Sequence, residues 1–397
     1  MAEVISESRI RVTPAMRGMF EPDALSLAHS EKVARHVRDV IVQEGGWISF
    51  ARYMEHIMFA PGLGYYSAGA AKIGAAGDFI TAPEMTPLFG QCLATQIAQV
   101  LRVVGGDVLE FGAGSGKLAC DVLRELKELG CEPRQYLILE PSADLRERQR
   151  TFLTDAIPEF IERIAWLDAM PKEFIGVMIA NEVLDAMPVH LIAWHEDGVH
   201  ERGVEIKNET FRWRDRPLPP GTLKDCATAL NLAPGYVSEI HLAGEAFVRS
   251  MADALKRGVA LLIDYGFSEH EYYHADRRGG TLMCHYRHRA HTDPFFLPGA
   301  QDVTAHVNFT AMLRAALEAD LQASGYATQA QFLISCGITD RLARVDAADA
   351  SAYLPLANQA QRLLSPAEMG ELFKVLALSR ACDISLVGFS QSRIRSL

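Results

Sequence analysis

The chain has 397 residues, a formal net charge of −11 and 49% hydrophobic residues, which suits two domains or one α/β domain with a large insertion. The acidic balance, without a long Lys/Arg block, argues against nucleic acid as the main partner and is compatible with a basic protein segment. Seven cysteines with no CxxC pair exclude a disulfide framework and a zinc-finger pattern, so no metal is expected, and no apolar run approaches the ~20 residues that cross a bilayer. The N-terminus mixes Glu3, Glu7, Arg9 and Arg11 without an apolar core of the signal-peptide kind, which predicts a cytoplasmic protein. The large apolar share leaves a homodimer as an expectation.

In chain order, helices are predicted at 30–44 and 49–58, followed by the loop Gly62–Tyr66 and a Gly/Ala-rich stretch to Gly77, too long for a connector and read as a lid. Thr86-Pro87 starts a further helix. Strands at 107–112, 136–140, 163–167 and 175–181 alternate with helices near 117–129 and 142–154, the rhythm of a parallel sheet. Residues 189–213 carry hairpin signals, with turns at His195–Gly198 and Lys207–Glu209, and Pro217, Pro219, Pro220 and Gly221 close that antiparallel insertion. A helix at 241–256 precedes a buried strand at 259–265. His285–His291 reads as a polar loop, and Asp302–Phe309 as an edge strand with Asp302, Thr304, His306 and Asn308 on a solvated face. Apolar runs at 330–335 and 383–389 read as strands flanking helices in 338–376, the last pairing antiparallel, for a seven-stranded sheet in all.

The expected fold is therefore α/β and Rossmann-like, a mostly parallel seven-stranded sheet with helices on both faces. Its parts are an N-terminal helical and lid segment (1–90), the first part of the core (91–188), the antiparallel insertion (189–240) and the second part of the core (241–397).

The motif with most chemical content is Val108-Leu109-Glu110-Phe111-Gly112-Ala113-Gly114-Ser115-Gly116. Glycines at alternate positions turn the backbone sharply, and the helix beginning near Lys117 aims its N–H groups at a ligand. A Walker loop is excluded, because Phe111 and Leu118 stand where glycine and a hydroxyl are required. A dinucleotide fingerprint fits Gly114–Ala119 by spacing, with Glu140 as the distal acid. Glu110 disfavours it, since a carboxylate beside a pyrophosphate is repelled. S-adenosylmethionine fits better: Glu110 can serve its ammonium, the helix N-terminus its carboxylate, and Glu140 its ribose hydroxyls. Asp168, at the end of the third strand, can accept from an adenine amino group.

Asn181-Glu182-Val183-Leu184-Asp185-Ala186-Met187-Pro188 follows the fourth strand, at the carboxyl edge where ligands of open α/β sheets bind. Methyl transfer needs an acceptor held in line with the sulfonium, and carboxylates suit a cationic acceptor. Glu182 with Asp185 or Glu84 can grip a guanidinium, whose fork of donors matches a carboxylate. The alternative is that Glu182 and Asp185 cap a following helix.

Taken with Gly64-Tyr65-Tyr66, Gly77–Thr81, Pro83-Glu84, Phe89-Gly90, Glu140-Pro141-Ser142, Ile263–Gly266 and Asp302–Phe309, these stretches make the chain similar to the MidA-like methyltransferase family over most of its length. The resemblance implies a class I, S-adenosylmethionine-dependent fold with an added substrate domain. By analogy with the family's mitochondrial member, it implies transfer to a protein arginine; the residues leave open a small-molecule acceptor on the same fold, or a cofactor-binding assembly factor without turnover. It also implies that Thr81, Pro83, Gly112, Gly114, Gly116 and Asn181 join Glu110, Glu140 and Asp168 around the cofactor. The chain departs from the family at Asn308, where the pattern favours an acid.

Overall fold

The computed structural model describes residues 22–67 and 81–397. The stretch read as a lid falls largely outside them, as does Gly77–Ile80. Helix α1 (Ala24–Gln43) starts at Asp23, whose carboxylate accepts from Ser26 N–H at 2.7 Å. It leads through β1 (Trp47–Ser49) into α2 (Phe50–Phe59), α3 (Ala82–Met85) and α4 (Pro87–Val104), the last opened by the predicted Thr86-Pro87 start.

The first half of the core runs β2 (Asp107–Phe111), α5 (Lys117–Glu128), β3 (Tyr136–Leu139), α6 (Ala143–Ala156), β4 (Ile164–Leu167) and β5 (Phe174–Asn181). Next come the hairpin strands β6 (His190–His195), β7 (Gly198–Lys207) and β8 (Thr210–Pro217), then α7 (Thr222–Leu230) and β9 (Val237–Ile240). Asn208 and Glu209 both have positive φ, as a two-residue hairpin turn demands. The second half begins with α8 (Leu242–Ala254), β10 (Leu255–Phe267) and α9 (Glu269–Tyr272). A small unit of β11 (Met283–Tyr286), β12 (Arg289–His291) and β13 (Asp302–Thr304) precedes β14 (Val307–Asn308) and α10 (Phe309–Glu318). The chain closes with β15 (Gln322–Thr328), α11 (Gln329–Ser335), α12 (Ile338–Leu342), α13 (Ala350–Leu364) and β16 (Phe373–Arg380).

The main sheet has the order β15-β16-β10-β5-β2-β3-β4, with β14 added beside the end of β10. β2, β3, β4, β5 and β10 run parallel, and β16 is antiparallel to both its neighbours. Alternation along each strand divides the core. Val108, Val177 and Leu261 pack with Leu93, Ile97 and Leu123 from α4 and α5, while Leu109, Met178 and Leu262 pack with Val248, Met251 and Met312 from α8 and α10. Complete burial of each such side chain contributes roughly 1.5–3 kcal/mol, so the apolar faces fix the strand register and thereby the carboxyl edge on which the site stands. A second sheet, β1-β7-β6-β9 with β8 beside β7, takes β1 from the N-terminal segment. Among the described residues no helix is long and apolar enough to cross a membrane.

Five expectations are corrected. The run 330–335 is helix α11, started by a capping box of Thr328 and Gln331, because a short apolar run fits either period. The run 383–389 packs Leu386 and Phe389 into the core without forming a strand, and ends as a 3-10 turn. The antiparallel closing strand is β16, which lies partly in the segment assigned to helices, and its neighbour β15 reads Gln-Ala-Ser-Gly-Tyr-Ala-Thr, with no apolar run. Asp302–Phe309 is two short strands and a helix start, and Asp302, Thr304 and Asn308 are buried because β13 and β14 pair with β11 and β10 rather than facing water. The polar loop 285–291 is a hairpin whose turn residues, Arg287 and His288, both have positive φ.

Candidate active site

Two groups of side chains stand at the carboxyl edge of the parallel strands. The first surrounds the glycine loop. Gly112, Gly114 and Gly116 all have positive φ, which brings bare backbone to the start of α5. Gly116 is the N-cap of this 12-residue helix, the neighbouring Ser115 Oγ accepts from Lys117 N–H at 3.2 Å, and the positive end of the helix stands at the carboxyl edge of the sheet. Gln149, fully buried on α6, donates to the Gly114 carbonyl at 2.9 Å and to Glu140 Oε2 at 3.3 Å. Its own Oε1 accepts from the Trp166 indole at 2.9 Å. One amide thus ties the loop after β2, the acid after β3 and strand β4. Glu140 also accepts from Ser142 N–H at 3.0 Å, and burial raises its carboxyl above the ordinary range.

Glu110 is buried, accepts from Tyr136 Oη at 2.7 Å and is pushed up to about 7 by burial. Asp168 stands apart from this group: its side chain is 92% exposed and pairs with Arg146 at 2.6 Å. Arg146 also binds the carbonyls of Glu140 and Leu167, clamping the ends of β3 and β4. Thr81 is the N-cap of α3 and Pro83 is buried in its first turn. From that turn Glu84 reaches the glycine loop, where Ser115 Oγ donates to it. The same short helix also serves the second group, since Ala82 N–H reaches the Glu182 carboxylate.

That second group is a set of carboxylates. Glu182 has φ of 53°, a strained value for a bulky residue, held by its N–H to the Ile263 carbonyl at 2.9 Å. Asn181 Nδ2 donates to Glu182 Oε1 at 3.3 Å, and Ala82 N–H also serves the carboxylate. No helix follows, so the capping alternative falls: residues 182–188 form a turn held by Asp264. Asp264 Oδ2 accepts from the N–H groups of Leu184 and Asp185 at 3.1 and 3.2 Å, and its Oδ1 from Tyr265 N–H at 2.9 Å. Tyr265 Oη donates to Asp185. From outside the core, Tyr66 Oη donates to Asp302 at 3.3 Å, and Asp302 acts electrostatically on Glu182.

Burial penalises the anions of Glu182, Asp185 and Asp264, and like charge adds to it at Glu182 and Asp264. Glu182 is pushed up to about 8 by burial and by Asp185, and Asp185 and Asp264 are also raised, first by burial. His306 lies with its ring centroid 5.0 Å from that of Tyr265, and burial holds it neutral, down to about 4. Asn308 is not in the group; its side chain caps α10 through Ala311 N–H at 3.2 Å. Tyr66, Asp264, Tyr265 and Asp302 were missed as site residues, although Gly64-Tyr65-Tyr66, Asp264-Tyr265 and Asp302–Phe309 all stood out as motifs.

The residues fit S-adenosylmethionine on this chain's own geometry. Asn181 Oδ1 is a buried acceptor without a partner beside the glycine loop's strand, suited to an ammonium, and the positive end of the helix after Gly116 suits a carboxylate. The strand order and the glycine loop with its distal acid define the class: a class I methyltransferase fold.

Comparison with known proteins agrees. Residues 92–327 match the family described as "Putative S-adenosyl-L-methionine-dependent methyltransferase". A Burkholderia thailandensis protein crystallised with S-adenosyl-homocysteine is 49% identical, with a TM-score of 0.93 over 95% of this chain and 100% of its own. The rat protein named protein arginine methyltransferase NDUFAF7, mitochondrial, is 28% identical over 88% of this chain and 85% of its own, and the Drosophila melanogaster homolog is 29% identical over 92% and 90%. The chain belongs to this family of methyltransferases, and its cofactor is S-adenosyl-L-methionine.

Proposed function

We propose that this methyltransferase acts on an arginine side chain of a protein. The observation that carries the reading is the carboxylate group around Glu182, in which Asp185 and Asp302 raise the cost of ionising Glu182, and Asp185 and Glu182 raise that of Asp264. A bound cation relieves that cost, and a guanidinium offers enough donors for more than one carboxylate. The names of the rat and fly relatives, both arginine methyltransferases, support the same acceptor.

When bound, the cofactor supplies an electrophilic methyl group on a sulfonium. Glu182 and Asp185 hold the acceptor, and Asn181 and Ala82 N–H fix the Glu182 carboxylate. An acceptor nitrogen gives up a proton as its bond to the methyl carbon forms. Glu182, with an affinity for protons near neutrality, takes it at its carboxylate. Tyr265 and Asp264 hold the turn that carries both acids. Radiolabel from S-adenosylmethionine should enter the protein fraction of a cell extract, and label confined to the small-molecule fraction would overturn the proposed acceptor.

A further inference from the structure

A cavity of about 750 Å³ opens between α7, β9, α8, α9 and α10, outside the carboxylate crevice. One wall is the ring of His241, which is 5% exposed and has no hydrogen bond on either nitrogen. Gly244 makes room for the ring, since a Cβ there would lie 1.9 Å from Nδ1. The backbone of Leu184 and Met187 lies close enough to act on the ring, without reaching hydrogen-bond geometry. The His241 ring therefore joins the cavity to the turn that carries Glu182 and Asp185.

The lining has two characters. Leu230, Leu232 and Ala311 are apolar, whereas Asp225, Glu239, Glu245 and Glu269 are carboxylates, of which Glu239 already accepts from Tyr272 Oη, Thr281 N–H and Leu282 N–H, and Arg314 is a cation of the same lining. Arg314 already pairs with Glu269 at 3.2 Å, and Arg249, outside the lining, pairs with Glu245 at 3.0 Å. Negative charge is left over, which repels anions. Burial keeps His241 neutral, down to about 4, so one ring nitrogen is an acceptor. Apolar wall, surplus carboxylate and a bare buried acceptor together match an aliphatic stem with a cationic head, the chemistry of Lys and Arg.

We propose that this cavity docks a basic side chain of the acceptor protein at a position flanking the methylated residue. The inference rests on the reading that the acceptor is a protein. Docking one turn away from Glu182 would orient the segment before the reacting side chain enters the crevice.

The test uses the full chain with S-adenosylhomocysteine and a fluorescein-labelled octalysine peptide, followed by anisotropy at low salt. Octalysine has no arginine, so its binding reports docking whichever residue is methylated. The pair Asp225→Asn/Glu245→Gln should weaken binding by about fivefold. The pair Glu196→Gln/Asp197→Asn removes the same two charges from the exposed β6–β7 turn and should change it by less than about twofold. His241→Phe, which keeps a ring but removes both nitrogens, should act in the same direction as the cavity pair. No binding by the wild type, equal weakening by the two pairs, or a cavity pair without effect overturns the proposal. Displacement by spermidine at the concentration effective for unlabelled octalysine also overturns it, in favour of a free polyamine. Failure here leaves the label-transfer result on the acceptor standing, and failure there leaves this binding result standing.

Discussion

Tyr66 and Asp302, 236 residues apart in the chain, meet through a 3.3 Å hydrogen bond beside the carboxylates of the core. Tyr66 follows α2 in the N-terminal segment, and Asp302 begins β13 of the small sheet inserted after β10. Neither belongs to the parallel strands, so the units added to the methyltransferase core contribute side chains to the carboxylate group of the crevice. Tyr66→Phe removes one hydrogen bond of about 1 kcal/mol. Steady-state kinetics should show the acceptor KM raised by about fivefold with the cofactor Kd unchanged. A change in cofactor affinity alone would place the pair on the wrong side of the site.

The pH profile should report Glu182. Its carboxyl rests near 8, above the ordinary value of 4.5, so most of it is protonated at neutral pH before an acceptor binds. Ionised Glu182 is the form that grips a cation, and kcat/KM for the acceptor should therefore climb about tenfold per pH unit below that limb and level off above it. A profile flat from pH 6 to 9 contradicts this role.

Stability should move in the opposite direction. With a folded-state pKa raised from 4.5 to about 8, Glu182 binds more proton in the folded than in the unfolded chain. Its contribution is complete below the unfolded value and is lost as pH rises through the folded one, with a slope of at most about 1.4 kcal/mol per pH unit. Glu182→Gln cannot ionise, so between pH 5 and 8 its Tm should fall less than that of the wild type. Parallel Tm curves would show that the carboxyl is not perturbed.

Gln149 should control the cofactor rather than the acceptor. Gln149→Leu strands the Gly114 carbonyl and the Trp166 indole and frees Glu140 on one side. Leaving such buried groups unpaired costs about 1–3 kcal/mol, so calorimetry should find S-adenosylhomocysteine bound at least about tenfold more weakly. The acceptor KM at saturating cofactor should stay unchanged.

The parallel half of the fold was readable because β2, β3, β5 and β10 are apolar runs bounded by turn residues and placed at helix-length intervals. The glycine loop and Glu182 were readable because their chemistry is written in consecutive residues. The edge strands were not: β15 carries Gln322, Ser324 and Gly325 and is held by pairing with β16, a contact that leaves little local pattern. Asp302 shows the same limit. Its alternating segment looks solvated until β11 and β10 cover it, and its partner Tyr66 lies in another unit.

The most direct test of the account is the identity of the methylated residue. Protein from a cell extract, incubated with labelled S-adenosylmethionine and the enzyme, should yield labelled methylarginine on acid hydrolysis. Glu182→Gln should abolish that product while still binding S-adenosylhomocysteine. Full turnover by Glu182→Gln, or label released as a different methylated residue, would contradict a guanidinium held by the Glu182 group.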